Sequence, residues 1–338
     1  MSLSCFLRRL LLFCSSSLLL TTFFIPSVQA EYVPLKADSA TGTAPSGKTH
    51  RITLRAAALP SGQLAYQMVS HKIQLPGGQT EDVTNRYADK PTIPGPTIVL
   101  TEGDVAEITL EHGIANSDQP VSLHVHGVHF DIRSDGTMKS LNGVTDEAAF
   151  PGKPYTYKWV AAPGTAGTWP YHDHTFGHPM VGAEDKGLFG TLIVNPQSGK
   201  VPALVNGKIE DVDVGDIKRE FILWMHETTF WGMEVNNILK GKQIPLWTNP
   251  TLGARLGEKV RFHVIGLGTA FHTFHLHGHR WLLPGTTNVV DTVNIGPISR
   301  DMFVVQAGEG VGPGDWHFHC HVVQHMQAGM MGDFRVVK

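Results

Sequence analysis

Gly314-Asp315-Trp316-His317-Phe318-His319-Cys320-His321, followed by Gly329-Met330-Met331-Gly332, has a counterpart in the same chain: Gly167-Thr168-Trp169-Pro170-Tyr171-His172-Asp173-His174, followed by Gly187-Leu188-Phe189-Gly190. The correspondence continues upstream of both. His275-Leu276-His277-Gly278 matches His124-Val125-His126-Gly127, Leu256-Gly257-Glu258-Lys259-Val260 matches Glu102-Gly103-Asp104-Val105, and Pro250-Thr251-Leu252 matches Pro96-Thr97-Ile98. Features that keep one order across two halves of a chain mark one structural unit built twice. The joint falls between Asn195 and Lys218, where Pro196, Gly199 and a charged stretch interrupt the apolar pattern. We place the two domains at 31–197 and 198–338.

Within each half the apolar runs are short, rich in valine, isoleucine, threonine and aromatics, and separated by glycine and proline turns. Ala106 to Leu110, Val121 to Phe130, Tyr155 to Val160 and Leu188 to Val194 read as strands. Long segments with helical periodicity are missing. The expected fold is therefore all-β, two tandem Greek-key β-sandwich domains.

Residues 1–30 read as a secretory signal: Arg8-Arg9, an apolar stretch from Leu10 to Ile25, and Val28-Gln29-Ala30 as a small-residue cleavage site. That stretch is shorter than the roughly 20 residues of a spanning helix, so no membrane span is expected and the protein is exported, periplasmic or secreted. Arg8-Arg9 leaves both the general and the twin-arginine routes open. The whole chain carries −3, and the loss of two arginines takes the remainder to about −5. No basic stripe suggests nucleic acid. Of three cysteines, Cys5 and Cys14 lie in the signal, and Cys320 remains alone, without an internal disulfide partner.

All nineteen histidines follow the signal, and ten of them fall into short clusters that mirror one another across the repeat. Residues two apart on a strand share a face. His124 with His126, His172 with His174, His275 with His277, and His319 with His321 thus present four imidazole pairs. Eight imidazoles match the needs of three copper ions with open positions for oxygen. Cys320 faces the other way from His319 and His321. An electron-transfer copper takes two histidines, a cysteine thiolate and a weak axial methionine, and His272, Cys320, His325 and Met330 supply that set. Met326 and Met331 flank Met330, so the axial position depends on register.

On His-x-His-Gly at His124, His-x-His at His172, His-x-x-His-x-His at His272, and His-Cys-His-x-x-x-His with Gly-Met at His319 to Met330, the chain resembles the multicopper oxidases, and within them the small two-domain laccases of bacteria. The resemblance covers nearly the whole chain after the signal. It implies that both Greek-key β-sandwich domains are cupredoxin-like, and it implies four coppers: a type 1 ion in the second domain, a type 2 ion on His124 and His275, and a type 3 pair on His126, His172, His174, His277, His319 and His321. Asp173 stands where Cys320 stands in the repeat, so one mononuclear site is expected per chain. That departs from copper nitrite reductases, whose cysteine lies in the first domain.

The resemblance further implies single-electron oxidation of a phenol, aromatic amine or metal ion, coupled to four-electron reduction of O2 to water. The covalent path from Cys320 into His319 or His321 would carry the electrons. It also implies a homotrimer with the cluster between neighbouring chains, although contact within one chain stays open. Asp135, in Arg133-Ser134-Asp135-Gly136, matches the family's acidic residue near the cluster; a turn aspartate before glycine is the plain alternative. Phe130 replaces a tyrosine that related enzymes can carry. Trp281 reads as core, and His129, His178, His279 and His317 as supporting residues. The competing functions are an exported copper-binding or copper-tolerance protein and a relative of copper nitrite reductase.

Overall fold

Alternation of buried and exposed side chains builds the first sandwich. In β1 (Thr49–Ala58) and β5 (Val105–His112), Ile52, Leu54 and Ala56 and then Ala106, Ile108 and Leu110 point inward, while the residues between them face outward. A computed structural model describes residues 47–137, 147–175 and 184–338, so the expected signal and His178 lie outside the described residues. β1 pairs antiparallel with β2 (Leu64–Gln74) and parallel with β5; β3 (Thr80–Asp82) and β7 (Tyr155–Val160) flank them. The facing sheet runs β4 (Ile98–Thr101), β9 (Phe189–Asn195), β8 (Gly167–His172), β6 (His124–Val125).

The second sandwich repeats this plan. β14 (Lys242–Thr248), β13 (Thr229–Asn236), β12 (Arg219–His226), β16 (Lys259–Leu267) and β21 (Arg300–Gln306) form one sheet. β15 (Thr251–Arg255), β23 (Met331–Val337), β22 (Gly314–Cys320), β17 (His272–Leu276) and β20 (Thr292–Ile295) form the other. The parallel pairs recur, β1 with β5 as β12 with β16, and β4 with β9 as β15 with β23. A short ribbon of β18 (Trp281–Leu282) and β19 (Val289–Val290) and one helix, α1 (Val323–Gln327), complete this half.

The expected strand from Val121 to Phe130 is a correction: only His124–Val125 pairs as a strand, while Val121 and His129 make single bridges to Ala149 and Val160. Gly127, at φ +75°, turns the chain away and ends the ladder. The stretch between Asn195 and Lys218 carries strands of its own. β10 (Lys200–Val205) and β11 (Lys208–Asp213) form a hairpin there, whose Val201, Ala203, Val205 and Val212 pack on Val304 of the second sandwich.

Each sandwich has its own core. The first gathers Ile52, Leu54, Tyr66, Ile108, Tyr157, Trp159 and Tyr171, and the second Phe221, Phe262, Phe274, Phe303, Phe318, Phe334 and Trp281. Trp281 stacks on Phe303 at 4.0 Å and is core, as expected. Each such ring contributes roughly 1.5–3 kcal/mol on burial. A third cluster, with Ala65, Ile93 and Phe189 against Ile222, Trp224, Met233 and Ile265, joins the two sandwiches. Two polar networks are buried beside these cores. In the first sandwich, Asp104 Oδ2 lies 3.3 Å from His50 Nε2, His50 Nδ1 lies 2.9 Å from His71 Nε2, and His71 Nδ1 lies 2.8 Å from the Tyr87 hydroxyl. Burial pulls His71 down to about 3. Between the sandwiches, Glu220 accepts from Arg261 and holds His263.

Candidate metal centre

Every one of the four histidine pairs straddles the end of a strand. His124, His172, His275 and His319 are within strands β6, β8, β17 and β22, and His126, His174, His277 and His321 lie just past their ends. The extended backbone carries both members to one face, and the rings of each pair lie 4.9 to 5.5 Å apart. Register does the rest. His124 stands opposite His172 across β6 and β8, and His275 opposite His319 across β17 and β22, so four imidazoles meet in each half.

The two sets use the same hydrogen bonds. His124 Nδ1 lies 2.7 Å from the Asp135 carbonyl, and His275 Nδ1 lies 2.8 Å from that of Asp291. His172 Nδ1 lies 2.9 Å from the Asp173 carbonyl, and His319 Nδ1 3.1 Å from that of Cys320. A carbonyl accepts, so each Nδ1 carries the proton and each Nε2 presents a lone pair to the shared space. There His126 Nε2 and His172 Nε2 are 3.2 Å apart, as are His277 Nε2 and His319 Nε2. Lone pairs converging at that range fit a cation between them. His124, His126 and His172 form one potential metal group, and His275, His277 and His319 another.

Protonation agrees with metal binding, which requires neutral imidazole. Burial, with the neighbouring His172, pulls His126 down to about 4, and burial also lowers His124, His277 and His319. His172 goes the other way: burial lowers it, but Glu184 Oε2 at 2.6 Å outweighs that and raises it. The two faces differ in exposure. His172 is buried and His124 and His126 are half-buried, whereas His277, His317 and His321 are exposed. Among the described residues no ring contact joins the first-half imidazoles to the second-half ones.

Behind the second set lies a different donor group. Cys320 is buried in the second core, with Sγ 3.9 Å from His272 Nδ1 and 3.5 Å from His325 Nδ1. The Thr273 amide donates to the sulfur at 3.5 Å. α1 and the turn after it bring Met330 back, its carbonyl accepting from Cys320 N at 3.1 Å and its side chain buried in the same core. Met331 is exposed and Met326 half-exposed, which singles out Met330. One thiol and two imidazoles make a donor set suited to copper, with Met330 buried in the same core.

The mirror position holds Asp173, fully buried and pushed up to about 7 by burial. Ser122 N and Thr175 N and Oγ1 donate to its carboxylate, an arrangement unlike the thiol pocket. Asp135 ends the turn Ile132–Ser134 and accepts from Thr137 Oγ1, with its carboxylate 3.7 Å from His124 Nδ1. Both readings of that residue thus have a geometric basis. His317 holds Asp333 at 2.5 Å, and His279 accepts from Gly308 N at 2.9 Å, both supporting contacts. Sequence reasoning missed Glu184 on His172, because no spacing rule ties it to the motif.

Two family models described as multicopper oxidase match residues 74–199 and 223–338. The chain is similar to a probable nitrite reductase–hydroxylamine oxidoreductase fusion protein of Kuenenia stuttgartiensis, 34% identical over 257 residues that cover 73% of this chain and 28% of that protein. It is also similar to a ferroxidase of Mus musculus, 28% identical over 72% of this chain and 23% of that protein. A laccase of Oryza sativa subsp. japonica is 25% identical over 70% of this chain and 44% of its own length. The chain thus spans about a quarter to under a half of the length of these relatives. Among solved structures, a multicopper oxidase superposes with a TM-score of 0.56 at 23% identity, covering 85% of this chain and 89% of that one. A copper nitrite reductase of Nitrosomonas europaea superposes with 0.55 at 20% identity, covering 86% and 94%. Both are likenesses of fold.

Proposed function

Since the chain belongs to the multicopper oxidase family, we propose that it is a laccase-like oxidase, taking single electrons from a phenol, aromatic amine or similar donor and reducing O2 to water. The observation that carries this reading is the placement of Cys320. Its thiol faces His272 and His325, while His319 and His321 on either side face the imidazole set. One strand end therefore serves two donor groups back to back.

His272, Cys320 and His325 with Met330 would hold a type 1 copper, His124 and His275 a type 2, and the six remaining paired imidazoles a type 3 pair. Copper in these places supplies one-electron chemistry at the first and O2 reduction at the others. The chain's own groups set the conditions. Thr273 N–H steadies the sulfur, and the backbone carbonyls of Asp135, Asp173, Asp291 and Cys320 fix the imidazole tautomers. Asp135, its carboxylate 3.7 Å from His124 Nδ1, would hold a proton for delivery to oxygen.

His277 and His321 of the second-half set are exposed while the first-half set is buried or half-buried, and we assign the two sets to one cluster at the contact between neighbouring copies in a homotrimer. Among the described residues no helix is long and apolar enough to cross a membrane. We assign export to the chain on the sequence reading of residues 1–30 as a signal.

Oxygen uptake by the copper-loaded protein with a phenolic donor tests the reading. About four donor molecules oxidised per O2, without peroxide, supports it. No uptake from a folded, metallated sample turns the assignment to copper binding alone, and nitrite reduction without oxygen turns it to the nitrite reductase relatives.

A further inference from the structure

β8 carries His172 and forms the floor of the first imidazole set, yet its partner β6 is two residues long. Past that short strand the His126 amide donates to the Pro170 carbonyl at 3.1 Å, and there the ladder ends. The next carbonyl facing the same side is that of Thr168, an unpaired edge group that needs a donor. Arg300, from β21 of the second sandwich, supplies it: Nε donates to Thr168 O at 2.9 Å. Its guanidinium lies 3.7 Å over the ring of Trp169, the ring that fills the space beside Gly127 in the His124 to Gly127 turn.

The side chain of Thr168 is held too. Its hydroxyl lies 2.5 Å from His263 Nδ1, and His263 Nε2 lies 3.0 Å from Glu220 Oε2. Since Nε2–H donates to the carboxylate, Nδ1 accepts the threonine proton. Glu220 is itself fixed by Arg261, which also reaches Asn195 of β9 at 2.9 Å. Thr168, His263, Glu220 and Arg261 are all buried. In the second sandwich the corresponding Asp315 is tied instead to Arg335 of its own sandwich, and both are exposed. The grip on β8 is thus particular to the first half and is made by the other sandwich.

We propose that Thr168 is a pin through which the second sandwich sets the register of the first-half imidazoles, with His263 and Arg300 as positioning residues. The proposal rests on the reading that those imidazoles hold copper. Thr168→Val keeps the shape and removes the hydroxyl, and Thr168→Ser restores it. In the copper-free full chain, exchange of the His126 amide should quicken about tenfold in Thr168→Val and return in Thr168→Ser. Competition with a chelator should show copper held about tenfold less tightly at the imidazoles, with the blue absorption of the Cys320 site unchanged. Arg300→Met should act in the same direction, and Arg300→Lys less. Exchange and affinity within about twofold of the native chain would overturn the pin, as would uniform quickening across the first sandwich. Failure of the native chain to bind copper at the imidazoles would sink the oxidase reading, while the copper-free exchange would still judge the pin.

Discussion

On the proposed reading, two chemistries share one residue at Cys320, and its replacement separates them. Cys320→Ser should abolish the blue absorption and lower oxygen turnover by about 10²-fold or more, while the eight imidazoles still take up copper. Loss of all copper would show that the groups are not independent. His71 makes a separate, structural prediction. Its ordinary value is 6.5, and burial beside His50 holds it near 3 in the folded chain. Below about 6.5 the unfolded chain gains a proton that the folded chain refuses until about 3, so stability is lost as the pH falls through that window. The loss is at most a few kcal/mol, at ~1.4 per pH unit. His50, Tyr87, Arg86 and Asp82 surround this imidazole, and Asp104, which contacts His50 and has its value lowered, weakens the fold in acid as well. His71→Gln should therefore shrink, without erasing, the drop in melting temperature between pH 7 and pH 4.5. An unchanged slope would assign the acid sensitivity elsewhere.

At the level of strands and turns, the glycines that follow His126 and His277 are each fixed by an aromatic ring. A Cβ on Gly127, at φ +75°, would meet Trp169 ring atoms at 1.9 to 2.2 Å, and one on Gly278, at φ +69°, would meet Trp316 at 2.7 Å. Gly127→Ala should cost about 1–3 kcal/mol from overpacking, with a further ~1 from the backbone, in a urea unfolding midpoint. It should loosen copper at the imidazoles and spare the blue site; equal loss at both would contradict a local effect. These turns also explain what the sequence could disclose. Spacing of two told which imidazoles share a face, and a single intervening residue told that Cys320 points away, because strand alternation is a local property. The same alternation misled at Val121 to Phe130, where Gly127 ends the strand after two residues and single bridges hold the remainder. Glu184 on His172, Arg300 on Thr168 and the hairpin over the joint depend on contacts between distant elements, so no local pattern announced them. Asp135 matched a turn signal and a family position at once, and its neighbours support both.

For the whole molecule, the question is where the halves of the imidazole cluster meet. In the single chain the sandwiches are fixed to each other by the shared apolar cluster and by Glu220, Arg261, His263 and Thr168, so their imidazole sets cannot swing together without breaking buried contacts. A neighbouring copy brings the complementary set without that cost, and head-to-tail contacts of this kind close into rings. Mixing subunits tests this directly. His126→Ala spoils the first-half set and leaves the second half intact, and His277→Ala does the reverse. Each variant alone should lose oxygen reduction. If the cluster forms between copies, denaturing and refolding an equal mixture creates contacts between the sound first half of one variant and the sound second half of the other. Random assortment makes about a quarter of all contacts sound, so about a quarter of native turnover should return. Those sound contacts draw electrons through the Cys320 of a His126→Ala chain, so adding Cys320→Ser to that chain should remove the recovered activity. Adding it to the His277→Ala chain should leave the recovery in place. A mixture as inactive as its components would place the cluster within one chain and end the case for a shared site.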